Sequence, residues 1–172
     1  ILSINISAKQ IEENGFFDNT LMVLKKPQLS RIHFALELTE RSAMKITDSL
    51  MDDIKKLQNN GISFSLDDFG MGHNSILYLQ EGIFDEVKLD GHLVTQLPGN
   101  GRSRDIISGI IRMARSLDLR ILAEYVETKE QRDILAELGC GFYQGYYYSR
   151  PLPMDKLVEY IKTAGNTAEG QR

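Results

Sequence analysis

The chain reads as an α/β protein, a TIM-like (β/α) barrel of which about six β-α units are present, and three observations carry that reading. Strand-like runs alternate with helical ones along the chain, the order that gives a mainly parallel sheet. Near the C-terminal end of each strand-like run sits a polar residue on one shared face, because side chains alternate across a strand. No glycine-rich phosphate loop follows the first strand, so an open doubly wound sheet fits poorly. In a barrel the inward rows meet in the middle and functional groups come from several strand ends. Six units fall two short of the eight of a standard barrel, so upstream residues or a partner are expected to cover the open edge. A homodimer is one such cover.

In the first strand Leu2, Ile4 and Ile6 are apolar and Asn5 lies between them. Ser7 and Gln10 form a capping-box pattern, and Ile11, Phe16, Leu21 and Leu24 continue it as one helix ending at Lys25-Lys26. In the second strand Phe34, Leu36 and Leu38 oppose Ala35 and Glu37. A helix over 48–60 carries Leu50, Met51, Ile54 and Leu57, with Gly61 as its stop. Ile62, Phe64 and Leu66 oppose Ser63, Ser65 and Asp67 in the third strand. A short helix over 74–80 leads to the fourth, where Val87 and Leu89 oppose Glu86, Lys88 and Asp90. The stripe Ile106, Ile107, Ile110, Ile111 and Ala114 predicts a sheet-covering helix over 104–117. In the fifth strand Leu119, Ile121 and Ala123 oppose Leu122 and Glu124. Thr128 and Gln131 cap a helix carrying Ile134, Leu135 and Leu138, closed by Gly139. A last strand places Gln144 between Tyr143 and Gly145, and a last helix covers 154–163. Residues 1–164 are expected to form one barrel domain, and 165–172 a frayed tail.

Composition narrows the function. A chain of 172 residues with 42% hydrophobic and 26% charged residues suits one globular domain. No apolar run approaches the ~20 residues that a bilayer requires. The net charge of −4 argues against a DNA or RNA polymer as partner, and leaves open a small anion held through metal ions. Cys140, the single cysteine, cannot form an internal disulfide. The chain opens inside a strand without an initiator Met, which predicts a piece of something longer.

The inward set decides the chemistry. Glu37, Asp67, Asp68 and Glu124 are hard oxygen donors and Asn5 adds a carbonyl oxygen, a set suited to Mg²⁺ or Mn²⁺ rather than zinc. Clustered carboxylates repel one another unless cations or protons intervene. Asp67 and Asp68 would point to opposite faces of a regular strand. Gly70 and Gly72, just beyond, are expected to turn the chain and bring both into the site. Two ions held there would activate a water and clamp a phosphodiester. Lys88 on an inner face is costly unless paired with those acids, which favours a functional role for it. Asp90 is read as an N-cap, with a second-ion role left open. Taken singly, Asn5 or Gln144 is more often a hydrogen-bonded barrel residue; their depth among the acids reverses that. The run Tyr146-Tyr147-Tyr148 could stack a base, but at least two of the three are expected to pack under the last helix. Glu40 is read as closing a loop hydrogen bond.

Several motifs in order carry a family resemblance: Glu37-Leu38-Thr39-Glu40, Asp67-Asp68-Phe69-Gly70, Lys88-Leu89-Asp90, Ala123-Glu124-Tyr125-Val126-Glu127, Gln144-Gly145-Tyr146 and Ser149-Arg150-Pro151-Leu152-Pro153. With the opening Ile4-Asn5-Ile6-Ser7-Ala8-Lys9-Gln10, they resemble the EAL-domain family of bacterial cyclic di-GMP phosphodiesterases over about 1–161. The resemblance implies a TIM-like barrel with one antiparallel strand and hydrolysis of cyclic di-GMP to linear pGpG, dependent on two Mg²⁺ or Mn²⁺ ions. It implies Asn5, Glu37, Asp67 and Glu124 as metal ligands, with Asp68 a ligand to the second ion. Lys88 would contact the attacking water, and Gln144 would help hold it. Glu40 and Glu127 would brace the loop over 69–74. It further implies a cytoplasmic domain of a longer signalling protein, with sensor or GGDEF-type modules beside it and membrane anchoring of that parent left open. A catalytically inactive cyclic di-GMP receptor or protein-interaction module is the alternative.

Departures from the family pattern set further expectations. The Glu-Ala-Leu segment, with its metal-binding glutamate, is expected upstream of Asn5, so this stretch alone is expected to bind metal and substrate poorly. Tyr125 stands where the family has glycine and is expected to crowd the mouth of the site. Gly91 and His92 stand where an arginine and a small polar residue are usual, and Met71, His73 and Asn74 vary the loop.

Overall fold

The computed structural model describes residues 1–39, 47–70 and 75–168. Its centre is a six-stranded parallel sheet in which the strands follow one another in chain order, β1 Leu2–Ile6, β2 Phe34–Thr39, β3 Ile62–Phe69, β4 Glu86–Leu89, β5 Arg120–Ala123 and β6 Phe142–Tyr143. Each strand is reached through helical crossovers, as parallel neighbours require. These are α1 Ala8–Ile11, α2 Phe16–Leu24, α3 Asp48–Gln58, α4 Ser75–Gln80, α5 Gly91–Thr95, α6 Gly101–Ser116 and α7 Lys129–Leu138, and α8 Met154–Ala168 follows β6. Among the described residues β6 does not pair back to β1, so the sheet is an open part of the barrel. All six strands are parallel; the antiparallel strand implied by the resemblance is not one of them.

The first helical stretch differs from expectation. Ser7 and Gln10 do form a capping box, but the helix stops at Ile11 and restarts at Phe16. Gly15, at φ 82, turns the chain through the left-handed region between them. Apolar spacing alone could not show that interruption, because Phe16 and Leu21 suit either version. The other caps fall close to their expected places: Thr47 opens α3, Asn100 opens α6 three residues early, and Thr128 and Gln131 form the capping box of α7. Gly139 closes α7 at φ 92, and α8 runs past its expected end to Ala168.

The outer rows of the strands pack on the helices. Leu36, Leu38, Phe64, Leu66, Val87 and Leu89 are buried together with Ile54 and Leu57 of α3, Ile107 and Ile111 of α6 and Leu135 of α7. Each such side chain contributes roughly 1.5–3 kcal/mol by leaving water. The inner rows carry two polar layers instead. In the lower one, the Ser65 hydroxyl donates to Glu86 at 3.1 Å, Arg120 lies 3.6 Å from the same carboxylate, and His33 bonds Ser63 at 3.0 Å. The upper layer is the site.

Candidate active site

Strand register sets the upper layer. Asn5 of β1 pairs with Glu37 of β2, and Glu37 with Ser65 of β3, so Asp67 stands one inward step above Glu37. Lys88 comes from β4 opposite Leu122, and Glu124 and Gln144 lie directly past the ends of β5 and β6. The Gln144 N–H donates to Ala123 O at 2.8 Å, and its carbonyl accepts from Val126 N–H at 3.0 Å, which fixes both strand ends. Asn5, Glu37, Asp67, Asp68, Lys88, Glu124 and Gln144 thus line one open cleft of about 430 Å³, within the usual range for ligand sites. Glu127 reaches the same cleft.

Lys88 is the hub. Its Nζ lies 3.1 Å from Glu37 Oε2, 2.9 Å from Asp67 Oδ1 and 2.7 Å from Glu124 Oε1, with the residue 3% exposed. Burial pulls its pKa down, but the close negative carboxylates of Glu124 and Asp67 outweigh burial, so the pKa is raised and the ammonium persists. Burial raises the Glu124 carboxyl above its ordinary value, against the pull of Lys88 and with added repulsion from Asp67 and Glu37. One ammonium among this many carboxylates leaves the cluster short of positive charge.

A divalent cation fits that shortage. Oxygens of Asp67, Asp68 and Glu124 all lie within 4.8 Å of one another. Asp67 Oδ1 is buried and close to the Lys88 ammonium, yet it accepts no well-aligned hydrogen bond, an acceptor that a cation would satisfy. The donors are hard oxygens, as Mg²⁺ and Mn²⁺ require.

Asp68 joins the cluster by a route other than the expected one. The chain turns at Asp68 itself, at φ 57, where the register with β4 shifts between Leu66 and Phe69. This bulge within the strand, rather than Gly70 beyond it, puts consecutive carboxylates on one face, and Gly72 lies outside the described residues. Asp90 is the N-cap of α5, accepting from His92 N–H at 2.7 Å, and it does not line the cleft. Glu40, Met71, His73 and Asn74 lie outside the described residues, and with them most of the loop that Glu40 and Glu127 were expected to brace. Tyr146, Tyr147 and Tyr148 are all exposed; Tyr148 packs on the rings of Tyr143 and Tyr147 instead of beneath the last helix.

Two features escaped the sequence reading. Gly145, at φ 156, lines the cleft, and it must be glycine because a Cβ there would lie 2.2 Å from the Val126 carbonyl oxygen. The ring of Tyr125 occupies the space that a side chain at Gly91 would fill.

The sequence pattern described as "EAL domain" matches residues 1–151. The chain belongs to the EAL domain family. This EAL domain is 35% identical over 160 residues to the bifunctional diguanylate cyclase/cyclic di-GMP phosphodiesterase MucR of Pseudomonas aeruginosa, covering 93% of this chain and 23% of that protein. It is 36% identical over 165 residues to the cyclic di-GMP phosphodiesterase PdeL of Escherichia coli, covering 95% and 46%. The chain therefore spans less than half the length of either relative. Among solved structures, the EAL domain of Mycobacterium smegmatis DcpA superposes with a TM-score of 0.89 at 28% identity, covering 95% of this chain and 73% of that one. The PaMucR phosphodiesterase in complex with c-di-GMP gives 0.79 at 35% identity, covering 90% and 63%. These neighbours identify the open sheet as part of a TIM-like barrel. Among the described residues no helix is long and apolar enough to cross a membrane.

Proposed function

We propose that this EAL domain is the catalytic part of a cyclic di-GMP phosphodiesterase that opens the ring to linear pGpG. The observation that carries the reading is the convergence of Glu37, Asp67 and Glu124 on one buried ammonium, with Asp68 clustered beside Asp67 and Glu124. Family membership and the activities named for MucR and PdeL support it.

Asp67, Asp68 and Glu124 would hold Mg²⁺ or Mn²⁺, with Glu37 and Asn5 completing the oxygen set and Asp68 serving a second ion. When bound, such ions lower the pKa of a water and neutralise phosphodiester charge. Lys88 keeps its proton at neutral pH, since its pKa is raised, so it acts as a hydrogen-bond donor and not as a base. Its donor sites suit the attacking water or a phosphate oxygen. The side-chain amide of Gln144 adds a neutral partner for the same water. Water adds across one phosphodiester bond, leaving a 5′-phosphate and a free 3′-hydroxyl.

The full-length protein, supplied with Mg²⁺ or Mn²⁺, is expected to convert cyclic di-GMP to pGpG, read by chromatography, and Glu37→Ala or Lys88→Ala to abolish it. Binding of the dinucleotide without linear product would favour the receptor alternative instead.

A further inference from the structure

The cleft is built of acids, an ammonium and amides, but its rim carries a ring that core packing does not explain. Tyr125 is 61% exposed, so little of it is buried, and it lines the cleft directly after Glu124. It adopts φ 54, a left-handed conformation that a residue with a Cβ disfavours. A large exposed side chain held in an unfavourable backbone state at a binding cleft points to function.

The seat of the ring is also specific. A Cβ added at Gly91 would lie 2.1 Å from Tyr125 Cδ2 and 2.5 Å from Cγ. Gly91 itself does not have a left-handed φ, so its own backbone makes no demand for glycine. The demand comes from the ring. Two residues from separate strand ends are thus matched to hold one aromatic face beside the acids. The other cleft tyrosine, Tyr146, already carries the Arg150 guanidinium 4.6 Å from its ring centroid.

We propose that Tyr125, seated on Gly91, is a stacking platform for a purine base of the cyclic dinucleotide and a determinant of affinity for it. The inference rests on the phosphodiesterase reading above. Tyr125 directly follows Glu124 and lines the same cleft, so its ring borders the place where a phosphodiester held through metal ions would carry its base. Stacking needs a π-face and no particular hydrogen-bond pattern, which a tyrosine provides.

The test measures steady-state hydrolysis of cyclic di-GMP by the metal-loaded full-length protein and its variants. Tyr125→Gly is expected to fold, because glycine takes φ 54 freely, and to raise KM by about tenfold. Tyr125→Phe keeps the ring and should keep the wild-type KM. Gly91→Ala pushes the ring from its seat and should raise KM as Tyr125→Gly does. A KM for Tyr125→Gly within twofold of wild type, while wild type turns over normally, overturns the platform and leaves the phosphodiesterase reading intact. A loss of melting temperature with unchanged KM assigns Tyr125 to packing and also overturns it. If wild type neither binds nor hydrolyses the dinucleotide, both readings fall.

Discussion

Lys88 stays charged in a place where a lone ammonium would be forbidden, because Glu37, Asp67 and Glu124 surround it. Removing one partner of such a cluster leaves the others buried and uncompensated. Lys88→Met, similar in length and neutral, should therefore lower the stability of the metal-free protein by about 3 kcal/mol, measured by urea unfolding with EDTA at pH 7. Added Mg²⁺ should recover much of that loss by replacing the missing charge. This residue was legible in the sequence: alternation put it on the inner row, and an inner lysine demands acids. The Tyr125–Gly91 contact was not legible, because it joins side chains from two strand ends whose distance no local pattern encodes.

The strand β3 shows what an element adds to its residues. Its regular pleat would have sent Asp67 and Asp68 to opposite faces, and the turn at Asp68 cancels that alternation. Asp and Asn tolerate the left-handed region better than other non-glycine residues, whereas β-branched residues do not. Asp68→Asn should unfold at the wild-type urea midpoint yet bind divalent ions more weakly by calorimetry. Asp68→Val should cost about 1–2 kcal/mol of stability as well. Alternation correctly placed Asn5, Glu37, Asp67, Lys88 and Glu124, since each lies in or directly after a regular stretch. The bulge escaped because nothing but an aspartate marks it. The break between α1 and α2 escaped likewise, since helical periodicity survives a short interruption at Gly15.

Across the molecule, the acids that would bind ions come from β2, β3 and the end of β5, so a bound ion ties together strands that do not all neighbour one another. Mg²⁺ or Mn²⁺ at a large excess over its dissociation constant should raise the melting temperature by about 5 °C or more, and EDTA should reverse the rise. A second global signature lies under β5 and β6. Burial pushes the Cys140 thiol up from 9.0 to about 11. A pKa higher in the folded than in the unfolded chain favours folding fully below pH 9.0 and loses that contribution as pH climbs through about 11. The urea midpoint should fall across that window, and Cys140→Ala should lack that part of the fall. The overall fold was the most legible level, because β-α alternation repeats along the whole chain, whereas closure of the sheet is a property of edges that no single segment encodes. The match between Gly91 and Tyr125 also constrains how such a chain can change over time. A tyrosine arriving at 125 while 91 still bears a side chain would meet a collision, whereas a glycine arriving first at 91 leaves only a gap. The two positions are therefore coupled: with the ring seated, any side chain gained at 91 forces the exposed tyrosine to move.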